Sequence, residues 1–396
     1  MISQKMIDWG AQGCAIREIA AYGDRRAAEI GAENVFNFTI GSPSVEPPES
    51  VAETIRTLLS ELPPQELHAY TPAPGLFEVR SRIAEYLNRS FGATYRPEDI
   101  FMTSGASSAL AISCAALLSE GDELLTIAPC FSEYKIYAEA AGAKFVVVPS
   151  DPETFQVDLA AMERALSERT AAVLLNSPNN PSGAVFSRES LTAVARLLER
   201  KSGEYGHPIY LIADEPYREL VYGQREVSFL PAIYSDAVYC YSFSKSLSLP
   251  GERVGFLAVS PQAAEHDAVM AAINGAARAL GYINVSSLFQ RVVGACIGQT
   301  ADLAVYEENR NYIYSALTEL GYSCVRPDGA FYLFIRTPGE PGAFCSQAMS
   351  MDLLLIPGEE FYCPGYARLA YCVPKEKLER SVPVFRTLAQ RFGLCR

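Results

Sequence analysis

The chain has 396 residues, with 49% hydrophobic and 20% charged side chains, which suits two packed domains and not a disordered polymer. Its formal net charge of −13 argues against nucleic acid as a partner, because phosphate backbones need a basic face. The ten cysteines are scattered, without a CxxC pair, the start lacks the apolar core of a signal peptide, and no stretch is apolar for long enough to cross a membrane, so a soluble cytoplasmic protein with reduced thiols is expected.

Residues 1–47 read as mixed, closing on "VFNFTIGSPSVEPPES". A helical pattern starts near Glu49 and stops at the Pro-rich "ELPPQELHAYTPAPGL". "FEVRSRIAEYLNRSFG" predicts an amphipathic helix with Val79, Ile83 and Leu87 on one face. The chain then alternates. Strands are expected at "DIFMT", "DELLTIA", "KFVVVP", "TAAVLLN", "PIYLIAD", "DAVYCYSFS" and "GFLAVS", with helices between most of them. This alternation predicts a doubly wound, mainly parallel α/β sheet flanked by helices. From about Gln262 a long helical stretch leads to "GAFYLFIRT", "LLLIPGEEF" and "YARLAYCV", strands of a smaller α+β unit. The expected division is an N-terminal arm over 1–47 that joins the small domain, a large domain over 48–275, and a small domain over 276–396.

In such sheets ligands bind beyond the carboxyl ends of the strands. Four strand ends carry chemistry here. "DIFMT" runs into Ser104-Gly105-Ala106-Ser107 and a helix, whose free N–H groups suit an anion. "TAAVLLN" ends in "SPNNPSG", with Asn179 and Asn180, although Asn-Pro-Ser-Gly is also ordinary turn chemistry. "PIYLIAD" ends in Asp214, a buried carboxylate or a helix N-cap, with Tyr217 three residues on. The last delivers Ser242, Ser244 and Lys245, with Arg253 close behind. Each stretch alone has an ordinary structural reading. Together they offer a lysine for an imine, a carboxylate for a ring N–H⁺, polar groups for a ring oxygen and a cradle for phosphate. One cofactor uses all four: pyridoxal 5′-phosphate (PLP), which serves as an electron sink at an amino acid's α-carbon.

With "NNPSG", "DEPYREL" and "SFSKSLSLPGERVG" in this order, the chain resembles the fold-type I PLP enzymes of the class I/II aminotransferase group, aspartate aminotransferase-like, over nearly its whole length. The resemblance implies that Lys245 is the Schiff-base lysine and proton shuttle, and that Asp214 pairs with the pyridine nitrogen. It implies that Tyr217 and Asn180 hold the ring hydroxyl oxygen, and that Gly105, Ala106, Ser242, Ser244 and Arg253 surround the phosphate. Phe131 would stack on the ring, Gly41 would lie near the substrate and Arg368 would grip the α-carboxylate. Tyr70 would reach the phosphate of a neighbouring subunit, which implies a homodimer. Ala106 stands where several relatives carry a hydroxyl or other polar residue, so one phosphate hydrogen bond is either missing or supplied by Ser107. Arg278 is a candidate clamp for a substrate's second carboxylate across subunits, or a plain helix-surface arginine. His68, His207 and His266 fit no metal spacing and read as structural.

The implied reaction is ping-pong transamination between an L-amino acid, aspartate or glutamate first, and a 2-oxo acid. PLP-dependent carbon–sulfur lyases, decarboxylases and aminocyclopropane-carboxylate synthases share these motifs. An aminotransferase-like regulator is a non-enzymatic rival, but it would bring a basic DNA-binding domain for which this acidic chain has no room.

Overall fold

The computed structural model describes residues 2–11 and 15–395. Helices Gln4–Ala11 and Ala15–Ile30 open the chain, where the sequence reads only as mixed. The first buries no residue and the second only Ala20 and Gly23, so neither carries a strong core stripe. The short strand β1 (Phe36–Asn37) follows.

Seven strands form the central sheet: β2 (Ile100–Thr103), β3 (Glu123–Ile127), β4 (Lys144–Val148), β5 (Thr170–Asn176), β6 (Tyr210–Asp214), β7 (Ala237–Ser242) and β8 (Gly255–Val259). Their order is β2-β8-β7-β6-β5-β3-β4, and every pairing is parallel except the two made by β8. The continuous apolar runs follow from cover on both faces. Leu125, Val173, Leu211, Tyr239 and Phe256 point into one core with Ile83, Leu87, Val194, Leu198, Val292 and Val293. Their neighbours Leu124, Leu174, Ile212, Val238 and Leu257 point into the other, with Leu110, Ile112, Ile273 and Ala277. Successive strand residues thus serve opposite layers, which is the period-two rule of a pleated strand.

A second sheet is antiparallel, in the order β12 (Ile356–Pro357), β13 (Tyr366–Ala370), β10 (Tyr332–Arg336), β9 (Ser323–Cys324). Helices Ala304–Glu319, Pro341–Met349 and Lys375–Arg391 cover it through Ile313, Leu317, Phe344, Leu378, Phe385 and Leu388. Strand β11 (Leu353–Leu354) pairs in parallel with β1, joining the N-terminal segment to this unit.

Three local differences from the sequence reading have plain causes. The long helical stretch after Gln262 is three helices, His266–Leu280, Ser287–Ala295 and Ala304–Glu319. The first ends where Gly281 takes a left-handed conformation at φ 76, a common helix stop. "LLLIPGEEF" is two short strands in different sheets. "DAVYCYSFS" leaves the sheet at Ser242, and Lys245 rides on the helical turn Phe243–Ser246.

Candidate active site

The carboxyl ends of β2, β5, β6 and β7 open into one cavity of about 250 Å³. Lys245 lines it, and its Nζ donates to the Gly41 carbonyl at 2.7 Å. Burial pulls the lysine down to about 8, against an ordinary 10.5. The positive Arg253 and Arg368 pull the same way, and Cys372 opposes. A sizeable share of this amine is therefore neutral near physiological pH, as a nucleophile or base needs.

Asp214, the last residue of β6, is buried. Its Oδ2 accepts from the Tyr134 hydroxyl at 2.5 Å, whereas Oδ1 has no hydrogen-bond partner among the described residues. Burial raises this carboxyl to about 7. The Tyr134 bond works downward and neighbouring Glu215 upward. A buried, half-satisfied carboxylate is costly unless a cationic donor completes it. Asn176, at the end of β5, braces the strand end by donating from Nδ2 to the Asp214 carbonyl at 2.8 Å. Its Oδ1 accepts from the Asn180 backbone N–H at 2.8 Å.

The two asparagines of the turn divide the work. Asn179 closes it, accepting from Ser182 N at 3.0 Å and Ser182 Oγ at 2.6 Å. Asn180 lines the cavity and accepts from Arg368 Nη1 at 2.9 Å. Arg368 projects from the middle of β13, opposite Phe334 and Ile356. It also donates to the Thr39 carbonyl, and its guanidinium lies 4.7 Å from each of the Tyr332 and Phe361 rings. Packing between two aromatic faces holds the planar fork in place for a carboxylate.

The turn after β2 is shaped for an anion. Gly105 sits at the N-cap of helix Ala106–Leu117 with φ 80. A Cβ there would stand 2.8 Å from Arg253 Nη2, so glycine both permits the turn and admits the guanidinium. Arg253 itself has φ 52, a left-handed conformation rare for arginine that aims it at the turn. Its Nη1 donates to Ser244 Oγ at 3.4 Å, and Ser242 Oγ donates to Ser244 Oγ at 2.9 Å. Ala106, Ser107, Ser242, Ser244 and Arg253 all line the cavity. The helix dipole and the guanidinium favour negative charge at this end.

Phe131 lines the cavity and meets Tyr134 edge-on at 5.7 Å. Tyr217 lines it too, with its hydroxyl 2.8 Å from that of Tyr332. Gly41 is a further wall, and a Cβ there would stand 1.9 Å from the Tyr332 hydroxyl. Two expected residues lie elsewhere. Tyr70 is 94% exposed, and Arg278 lies on the exposed side of helix His266–Leu280. Tyr70 adjoins Thr71, whose backbone carbonyl and hydroxyl are held by Asn284 and Gln290. His207 sits between backbone carbonyls and His266 beside Asp99 and Asp267.

Sequence reasoning missed Tyr134, Asn176, Tyr332, Ile16 and Ile40, all of which line the cavity. Asn176 had a signal, as a polar residue closing an apolar strand, and Tyr134 follows Phe131 at one helical turn. The others are aromatic or aliphatic side chains in segments that read as core or as mixed.

The chain matches the family model for aminotransferase class I and II over residues 33–385 and belongs to that family; it is an aminotransferase. An aspartate aminotransferase of Thermotoga maritima is 31% identical over 354 residues, covering 88% of this chain and 90% of the relative. A solved amino transferase from Eubacterium rectale superimposes with a TM-score of 0.97 at 44% identity, covering 99% of each chain. A Thermus thermophilus aspartate aminotransferase solved with maleate gives 0.86 at 25% identity, covering 98% of this chain and 100% of that one.

Proposed function

We propose that this aminotransferase binds PLP in the cavity at the strand ends and moves an amino group between an L-amino acid and a 2-oxo acid. The observation that carries the reading is the buried Asp214 carboxylate, one oxygen satisfied by Tyr134 and the other without a partner, on the same cavity as an amine lowered to about 8. A protonated ring nitrogen is the partner that Oδ1 lacks. Gly105, Ala106, Ser107, Ser242, Ser244 and Arg253 would hold the phosphate, Tyr217 and Asn180 the ring oxygen, and Phe131 the ring face. When bound, PLP supplies an electron sink that makes a substrate's α-proton removable.

The chain's own residues do the rest. Arg368 orients the substrate by its α-carboxylate, and Asn180 fixes the guanidinium that does so. Lys245 Nζ takes the α-proton and returns it, at an amine pK low enough for both steps at neutral pH. Asp214, once paired with a cation, stays ionised, because an opposite charge offsets the burial that lifts it.

Aspartate and glutamate are the proposed donors. Support comes from the relatives named for aspartate and from the maleate-bound structure. Lys245, Arg253 and Arg368 are the lysine and arginines lining the cavity, and all three have tasks. A second carboxylate therefore calls for a cation from outside it, and Arg278 of a second copy of this chain is proposed. The same homodimer would carry Tyr70 to the neighbouring phosphate. The nine described cysteines, all unpaired, fit the reducing cytoplasm.

An amino-donor screen tests the reading. The purified protein should show a visible cofactor band that aspartate and glutamate bleach stoichiometrically, without added oxo acid. Release of pyruvate, ammonia and sulfide from cysteine with no oxo-acid acceptor would instead make it a lyase.

A further inference from the structure

Tyr332 stands on β10 at the meeting point of three parts of the site. Its hydroxyl lies 2.8 Å from that of Tyr217. Its ring lies 4.7 Å from the Arg368 guanidinium. Its hydroxyl fills the space that a side chain on Gly41 would need, and the Gly41 carbonyl holds Lys245 Nζ. The ring itself is fixed edge-on against Tyr217 at 5.7 Å and Phe331 at 5.0 Å.

Two facing hydroxyls carry two protons, and only one can lie between them. Tyr217 Oη would turn its proton toward a negatively charged ring oxygen bound in the cavity, since charge-assisted bonds are the stronger ones. Tyr332 is then the donor within the pair. We propose that Tyr332 is a positioning residue that donates to Tyr217 Oη and so turns the Tyr217 proton toward the cofactor's ring oxygen. The inference rests on the PLP reading above. Donation into Tyr217 polarises its O–H and strengthens the next bond in the chain. The charged and titratable groups around the pair are Arg368, Asp214, Cys372 and Lys245. All remain in place when only the Tyr332 hydroxyl is removed.

A donor on the ring oxygen competes with the proton shared on the lysine side of the bound cofactor. It therefore lowers the pH at which the visible band of the loaded protein titrates. Tyr332→Phe keeps the ring and its stacking and removes the donor. The midpoint of the visible band should rise by about half to one pH unit, the worth of one modest hydrogen bond. Tyr217→Phe should raise it at least as far, and the double variant should match Tyr217→Phe alone, because the two act in series. An unmoved midpoint in Tyr332→Phe, or additive shifts in the double variant, overturns the assignment. Maleate affinity should change less than about twofold, because the phenyl face still stacks on Arg368. A tenfold loss would mean that Tyr332 acts through Arg368, and also overturns it. A wild-type protein with no visible band removes the cofactor reading and this inference together. A wild-type band whose midpoint ignores Tyr332→Phe removes the inference alone.

Discussion

Asp214→Asn should make the cofactor-free protein more stable in alkaline solution while weakening the cofactor's hold. Asparagine keeps an acceptor for the Tyr134 hydroxyl, which now meets Oδ2 at 2.5 Å, and removes the buried charge. Burial lifts the carboxyl from its ordinary 3.8 to about 7 in the folded chain. Below the lower value both folded and unfolded chains hold the proton, and the charge costs nothing. Between the two, the folded chain keeps a proton that the unfolded chain has released, so stability falls as pH rises. Above about 7 the loss is complete and amounts to about 4 kcal/mol as a ceiling, since each pK unit is worth about 1.4 kcal/mol. Solvent reaching the open cavity trims this, and about 2–4 kcal/mol is the expected gain for the variant at pH 8.5. Urea unfolding of cofactor-free wild type and variant at pH 5 and pH 8.5 measures it. At pH 5, about 1.2 units above the unfolded value, only about 1.7 kcal/mol of the loss has accrued, so the gap should narrow to about 2 kcal/mol or less. With PLP present the order should reverse, because a ligand that favours the native state adds stability according to its affinity. A variant no more stable than wild type at pH 8.5, or equally favoured at both pH values, would refute the claim that burial of this charge dominates its environment.

Lys245→Ala should abolish turnover and leave the fold intact; borohydride reduction and peptide mapping of the wild type should place the pyridoxyl label on Lys245, and a label on another lysine would end the assignment. Arg368→Lys keeps the charge but loses the fork and the stack between Tyr332 and Phe361, so kcat/KM should fall by about 10²-fold or more for every amino donor alike; a loss confined to dicarboxylic donors would assign Arg368 to the side chain instead. Arg278→Ala should cost about 2–5 kcal/mol in kcat/KM for aspartate and glutamate and leave alanine unchanged, if a second copy delivers it to a buried carboxylate; equal losses, or none, would remove it from the site.

The large sheet was legible because each strand is a mainly apolar run and most of the connections carry a helical period. The polar residues that break those runs, Asp214 and Ser242, stand at the strand ends themselves. Lys245 was found for the same reason, one helical turn past β7. What escaped are contacts whose signal is tertiary. Tyr332 looks like one more aromatic in "GAFYLFIRT", and only the fold brings its hydroxyl to Tyr217, 115 residues away. Ile16 is only partly buried, in a helix that fully buries only Ala20 and Gly23, yet it reaches the cavity wall. Tyr70 and Arg278 lie on the outer surface of the chain, away from the cavity.

The one reversed strand has a kinetic consequence. Because β8 runs against its neighbours, its leading end lies among the trailing ends of the others, which is how Arg253 reaches the Gly105 turn. The register Thr103↔Gly255 joins positions about 150 residues apart in the chain, and loop closure over such distances comes late and slowly in folding. The anion cradle is therefore complete only when β8 has slotted between β7 and β2. Phosphate affinity should appear as the last event of refolding, after the helices and the parallel core have formed. A ligand that recognises the cradle selects for chains that have finished folding, and a partly folded chain gains no protection from it.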